Sequence, residues 1–69
     1  MYQLRVDRCF DGVVAHKAGT IVYESRGYDY GLASDDSRYT GIEHKSVTLD
    51  PTGDYPFFTV PVRDLEPLS

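Results

Sequence analysis

Turn signals divide this chain into segments that are too short for most helices. They occur at residues 11–12, 16–19 and 50–53, where glycine stands close to aspartate, lysine or proline. Glycine takes left-handed backbone conformations at no steric cost and proline fixes φ, so such clusters favour tight turns. The stretches between them are rich in β-branched and aromatic residues, which is typical of strands. The spacing therefore predicts short strands joined by turns.

The clearest strands lie near the start and in the second half of the chain. Residues 2–6 alternate apolar and polar side chains, which is the period-two pattern of a strand with one buried face. Residues 20–24 are β-branched and aromatic, and predict another strand. Residues 46–49 and 57–60 flank the third turn signal, so they predict a hairpin.

The chain as a whole predicts an all-β fold. Residues 61–65 are short and bounded by proline, which favours a single 3₁₀ turn, and residues 66–68 could add a last extended segment. Four or five strands and no ordinary helix indicate a small closed or partly open antiparallel β-barrel. A domain of about 60 residues buries only about 60% of its unfolded surface, so residues 1–69 are expected to form one domain.

Cysteine content and hydropathy restrict the setting. Cys9 is the only cysteine, so no internal disulfide can form. A single thiol, and an N-terminus that alternates like a strand and not like a secretory leader, favour a cytoplasmic protein. The apolar runs fall far short of the roughly 20 residues needed to cross a bilayer, so no membrane partner is expected. No cofactor is expected either.

The charge balance argues against nucleic acid as a partner. Eleven acidic residues against seven basic ones give a formal net charge of −4. Proteins that bind a phosphate backbone usually carry a basic face.

The longest stretch without a regular pattern, residues 25–41, carries the candidate binding residues. Long irregular loops in small domains often carry function. Tyrosine offers a large contact area and arginine a rigid fork of donors, and both are enriched where proteins bind one another. We therefore predict a protein partner, contacted by Tyr28, Tyr30, Asp35, Asp36, Arg38 and Tyr39. In the alternative interpretation, the tyrosines cap an open barrel end and the aspartates form turns.

Other groupings of reactive residues indicate little chemistry. His16 and His44 lack the close spacing of a zinc site and are interpreted as surface residues. Asp29 with residues 35–37 offers oxygen ligands for calcium, but the alternating acids and late glutamate of the usual loop are missing. Cys9 could act as a nucleophile with His16, yet a small barrel filled by its own side chains rarely holds a catalytic pocket. We expect Cys9 to be a buried hydrophobe and the chain not to be an enzyme.

Three segments together resemble the Src-homology-3-like barrels. Residues 18–23 are similar to the glycine-led turn and following strand of that fold, and residues 50–53 to its distal hairpin. Residues 60–68 are similar to its closing strand, 3₁₀ turn and terminal strand. The resemblance implies a small barrel that binds a partner. The signalling members bind proline-rich peptides with a tryptophan pair, and this chain contains no tryptophan, so that ligand is not implied.

The small acidic chain also resembles, in type, the accessory proteins of bacteriophages, many of which bind and inhibit a host enzyme. That resemblance implies a non-catalytic, phage-encoded module that binds a host protein in the host cytoplasm. Two alternatives stay open: a self-associating homo-oligomer that forms part of an assembly, and a small barrel associated with nucleic acid.

Overall fold

The computed structural model describes residues 1–68, which form seven short strands, one α-helix and one 3₁₀ turn. The strands are β1 (Tyr2–Leu4), β2 (Arg8–Phe10), β3 (Val13–His16), β4 (Ile21–Glu24), β5 (His44–Thr48), β6 (Phe58–Pro61) and β7 (Leu65–Pro67). The helix α1 spans Leu32–Thr40, between β4 and β5, and the 3₁₀ turn spans Val62–Asp64. In the described part of the chain, no helix is long and apolar enough to cross a membrane.

Five of the strands form one antiparallel sheet in the order β6-β5-β4-β1-β7, and β2 and β3 form a separate hairpin. The sheet curls at β4, because Val22 pairs with Tyr2 of β1 whereas Glu24 pairs with Val47 of β5. The antiparallel β architecture predicted from the sequence is confirmed in outline. Of the two forms expected, the closed barrel is wrong, since β6 and β7 are the two edges of a half-barrel over residues 1–68.

Other elements of the fold contact β6, an edge strand of the half-barrel. Arg8 of β2 donates from Nε to the carbonyl of Thr59 at 3.0 Å. The ring of His16, at the end of β3, stacks on Phe58 with centroids 4.1 Å apart. From the other side, Thr59 donates its hydroxyl to the carboxylate of Asp36 on α1. The hairpin and the helix thus occupy the space next to β6.

The hydrophobic core takes one side chain from each strand of the sheet: Leu4, Val22, Val47, Val60 and Leu65. Tyr2 and Phe58 pack against this cluster from its margin. A core of five aliphatic side chains is small, so hydrogen bonds at the turns and around the helix carry a large share of the structural specificity.

The predicted hairpin and 3₁₀ turn are both confirmed. β5 and β6 pair from His44 opposite Pro61 to Val47 opposite Phe58. The turn that begins their connection is closed by the amide of Gly53, which donates to the carbonyl of Asp50 at 2.9 Å. The glycine has φ of 81°, a left-handed conformation that favours this residue type.

The expectation of an irregular loop over residues 25–41, with no ordinary helix, is wrong for α1. Gly31 and Gly41 flank the helix in left-handed conformations, at φ of 80° and 75°. Asp29, two residues before Gly31, caps the helix, because its two carboxylate oxygens accept hydrogen bonds from the amides of Gly31 and Ala33. The alternative interpretation, in which Asp35 and Asp36 form turns, is therefore also wrong, since both lie inside the helix. The helix lacks the apolar stripe by which sequence patterns reveal helices, and every one of its residues keeps some solvent exposure.

Two expectations about burial are also wrong. Cys9 is exposed because the β2–β3 hairpin stands beside the sheet and pairs only within itself in residues 1–68. His44 is buried and His16 half-buried, so neither is the surface residue that was expected. His44 lies at the start of β5, where its Nδ1 donates to the carbonyl of Ile42 at 2.7 Å.

Candidate protein-interaction surface

Four aromatic side chains from two loops form a surface that we call the aromatic surface: Tyr28, Tyr30, Tyr55 and Phe57. The rings of Tyr28 and Tyr30 meet edge to face with centroids 5.0 Å apart. Tyr55 and Phe57 make the same type of contact at 5.7 Å. The three tyrosines are 77%, 81% and 74% exposed, which leaves most of their ring area open to solvent. Large aromatic side chains held in this way are typical of contact surfaces between proteins.

The backbone of Gly27 brings the two aromatic pairs together. A Cβ atom at Gly27 would lie only 3.0 Å from Cζ of Phe57, so the absence of a side chain lets the ring pack on the chain next to Tyr28. The amide of Arg26 donates to the carbonyl of Gly53 at 2.9 Å, which ties the same loop to the β5–β6 connection. The two loops that carry the aromatic pairs are therefore joined at their bases.

Tyr30 has a backbone conformation that is uncommon for its type. Its φ is 57°, and the left-handed region is sparsely populated by residues other than glycine, asparagine and aspartate. The strain is compensated locally, because the carboxylate of Asp29 holds the following amide of Gly31 at 3.0 Å. The result is a sharp turn that directs the Tyr30 ring outward at the start of α1.

A groove of about 540 Å³ continues from the aromatic surface along the β5–β6 connection. Its walls share Tyr55 and Phe57 with that surface and add Leu49, Pro56 and Phe58. His16 reaches the groove from β3, and Asp50 supplies a carboxylate at its wall. A mostly apolar concavity with a few polar groups is the usual form of a binding site for a side chain or small ligand.

Two carboxylates near the aromatic surface, Asp29 and Asp50, have lowered pKa values. The amides of Ala33 and then Gly31 lower the pKa of Asp29 below the usual aspartate range. The pKa of Asp50 is also lowered, because its carboxylate accepts the amide and the hydroxyl of Thr52. Asp54, the residue before Tyr55, accepts the amide of that tyrosine at 2.8 Å. Negative charge thus accompanies the exposed rings.

The structure divides the six residues predicted to contact a partner into three groups. Tyr28 and Tyr30 belong to the aromatic surface. Asp35 and Arg38 form an exposed ion pair on α1, and Tyr39, at 92% exposure, projects from the end of the same helix. Asp36 faces the sheet, where it accepts the hydroxyl of Thr59, so it anchors the helix. A nine-residue helix is about 13 Å long, and Tyr39 therefore lies well apart from Tyr30.

Tyr55, Phe57 and the groove were not among the residues predicted from the sequence. The available signal was the run from Asp54 to Phe57, which places two aromatic residues and a proline in the connection of a hairpin. Such a connection is usually polar, so aromatic residues in it indicate either packing or binding. The contact between Gly27 and Phe57 joins residues 30 positions apart, and the sequence pattern gives no sign of it.

The groupings considered for metal binding and catalysis are not assembled. Asp29 caps α1, while Asp35 and Asp36 bind Arg38 and Thr59 in separate directions. Within residues 1–68, no three histidine, cysteine or carboxylate side chains converge as metal ligands would. Cys9 pairs opposite Val14 on the hairpin, whereas the ring of His16 lies against Phe58.

No family model, no curated protein and no solved structure matches this chain. The geometry of the aromatic surface and its groove is therefore the basis for assigning a function.

Proposed function

We propose that this chain is a small non-catalytic module that binds another protein through the aromatic surface and the adjoining groove. The observation that carries the proposal is the pair of edge-to-face aromatic contacts, Tyr28 with Tyr30 and Tyr55 with Phe57, joined at Gly27. Three tyrosines have most of their area in water, and one of them, Tyr55, also lines an apolar concavity. Tyrosine is among the residue types that contribute most binding energy at protein interfaces.

Preorganisation supports the same proposal. The Asp29 cap fixes the loop that bears Tyr28 and Tyr30, and the hydrogen bond from Arg26 to Gly53 ties that loop to the one that bears Tyr55. Ordering a side chain on binding costs about 0.5–1.5 kcal/mol, so rings that are already supported by neighbours lose less. The resemblance in type to bacteriophage accessory proteins favours a bacterial host protein as the partner.

Affinity capture with matched variants tests the proposal. The tagged chain and its Tyr28→Ser/Tyr55→Ser variant are used to capture proteins from a bacterial lysate, and the retained proteins are quantified by mass spectrometry. We expect at least one protein to be retained by the unmodified chain and lost from the variant, because each hot-spot tyrosine contributes about 2 kcal/mol or more. Equal urea midpoints would show that the variant keeps its fold.

Tyr39→Ser is the matched control, since it removes a tyrosine that is even more exposed, at the far end of α1. Loss of capture by Tyr39→Ser alone would move the contact to the outer side of the helix, with Asp35 and Arg38. A set of retained proteins that is identical for all three chains would contradict the proposal.

Self-association is a second candidate function, favoured by the β2–β3 hairpin. Phe10, Val13 and Val14 are exposed on two short strands that pair only with each other in residues 1–68. Exposed strand edges with few charges tend to pair with another chain. Light scattering would detect such an oligomer, and a molar mass of one chain at all concentrations would exclude it.

A further inference from the structure

We propose that the partner segment bound by the aromatic surface is a basic polypeptide, with an apolar side chain in the groove and arginine or lysine side chains over the tyrosines. This inference rests on the proposed function and specifies the chemistry of the partner. It is carried by the charges around the aromatic surface and by the open faces of its rings.

The charge beside the aromatic surface is predominantly negative. Asp29 lies between Tyr28 and Tyr30, Asp54 directly precedes Tyr55, and Asp50 lines the groove. Across residues 1–68, none of these three carboxylates forms an ion pair. The ion pairs of the described chain lie elsewhere and use Glu24, Asp35 and Glu66.

Two of the three carboxylates keep an oxygen for a partner. Asp54 uses Oδ1 for the amide of Tyr55, and Asp50 uses Oδ1 for both groups of Thr52. In the described chain, their Oδ2 atoms accept no hydrogen bond, so each can accept a charge-assisted bond from a cation. Arg26 is the neighbouring cation, and its side chain packs over the backbone of Gly53.

The exposed tyrosine faces suit a cationic side chain. Guanidinium and ammonium groups are attracted to aromatic rings within about 6 Å. The chain itself makes this contact twice, with Arg8 at 5.1 Å from the centroid of Phe10 and Lys45 at 5.6 Å from that of Tyr2. A ring beside a carboxylate attracts a cation more strongly still, because the face of the ring and the carboxylate both present a negative potential. An acidic segment would meet repulsion from the same groups.

A peptide titration tests the inference. The ¹⁵N-labelled chain is titrated by NMR with acetyl-Arg-Arg-Leu-Arg-Arg-amide at low salt, and in parallel with the version in which glutamate replaces each arginine. We expect shift changes at Tyr28, Tyr30, Tyr55 and Leu49 with the arginine peptide alone, and weaker binding as salt is added. Absence of shift changes at millimolar arginine peptide, or changes confined to other residues, would overturn the inference.

Charge-neutral variants locate the effect. Asp50→Asn/Asp54→Asn keeps oxygen acceptors at both positions and should weaken binding of the arginine peptide about fivefold, as two partly exposed ion pairs are lost. Glu43→Gln/Asp64→Asn removes the same net charge next to His44 and Val62, at the opposite end of the β5–β6 hairpin, and should leave binding within about twofold. Equal weakening by both variants would overturn the inference.

The failure of this inference differs from that of the proposed function. A captured protein that depends on Tyr28 and Tyr55, but binds Asp50→Asn/Asp54→Asn and the unmodified chain equally well, would leave the module assignment standing. The basic character of its partner would then be wrong.

Discussion

Gly53 shows how a single residue determines the geometry around the aromatic surface. It is buried at φ of 81°, where its amide closes the turn to Asp50 and its carbonyl accepts the amide of Arg26. A Cβ atom at this position would lie 2.8 Å from the carbonyl oxygen of Glu24 and 2.6 Å from Cγ of Arg26. The first of these contacts is with backbone, which cannot move aside without disturbing β4.

Gly53→Ala is therefore expected to lower the free energy of unfolding by about 2–4 kcal/mol, the sum of left-handed strain and steric overlap. Gly12→Ala is the control, because Gly12 has a similar φ of 78° but nothing within 4 Å of its Cβ position. It should cost about 1 kcal/mol, from the backbone conformation alone. Urea unfolding monitored by circular dichroism measures both, and equal losses would contradict the steric part of the explanation.

The helix α1 is the element whose attachment depends most on polar contacts. Its residues all keep some solvent exposure, and it is joined to the sheet by the hydrogen bond from Thr59 to Asp36. The amide of His44 adds a second link by donating to Oγ of Ser37 at 2.8 Å. Hydrogen bonds in partly buried sites contribute about 0.5–1.5 kcal/mol each, so the helix is expected to open more readily than the strands.

The pH dependence of α1 follows from the cap at its N-terminus. Because the folded state lowers the pKa of Asp29, the cap stabilises the fold above the unfolded pKa, which is about 3.9. That stabilisation is lost as the pH falls from about 3.9 through the lower folded pKa. We expect the amide shifts of Gly31 and Ala33 to titrate with a midpoint below 3.9, and the protection of the α1 amides from exchange, relative to their intrinsic exchange rates, to fall over the same range.

Asp29→Asn separates the cap from its charge, since asparagine also accepts a hydrogen bond at this position. The variant should keep α1 at neutral pH and lose the titration at Gly31 and Ala33. Glu24 and Asp50 also have lowered pKa values, caused mainly by Lys45 and the amide of Thr52, so overall stability still falls in acid. A midpoint at or above 3.9 for the Gly31 amide in the unmodified chain would contradict the proposed cause.

The sequence predicts elements with a strong local signal and misses those that depend on distant contacts. The β5–β6 hairpin follows from the turn at 50–53, and the 3₁₀ turn from the prolines around it. The helix was missed because its cap, Asp29, is separated from the first helical residue, Leu32, by two residues that bend the chain, and because its inner face is polar. Tyr55 and Phe57 were missed for a related reason, since Gly27 and Phe57 are far apart in the sequence and come together only in the folded chain.

At the scale of the whole molecule, one small core holds the half-barrel together. The five aliphatic side chains of that core come one from each strand of the sheet, so removing any one of them weakens contacts between several strands at once. The β2–β3 hairpin contacts the margin of the core through the stacking of His16 on Phe58 and the bond from Arg8 to Thr59. Its apolar residues are exposed and contribute little to folding.

This distribution of burial predicts that the same substitution changes the free energy of unfolding by very different amounts at two valines. Val47, on β5 at the centre of the sheet, is fully buried, so Val47→Ala should lower the free energy of unfolding by about 2–3 kcal/mol. A chain of this size has only about 3–5 kcal/mol in total, and the variant should be partly unfolded at 37 °C. Val13→Ala makes the same chemical change on β3, where Val13 is 67% exposed, and should change stability by less than about 0.5 kcal/mol. Urea unfolding of both variants decides the matter, because similar losses would mean that the hairpin belongs to the cooperative core and is more than an appendage of the half-barrel.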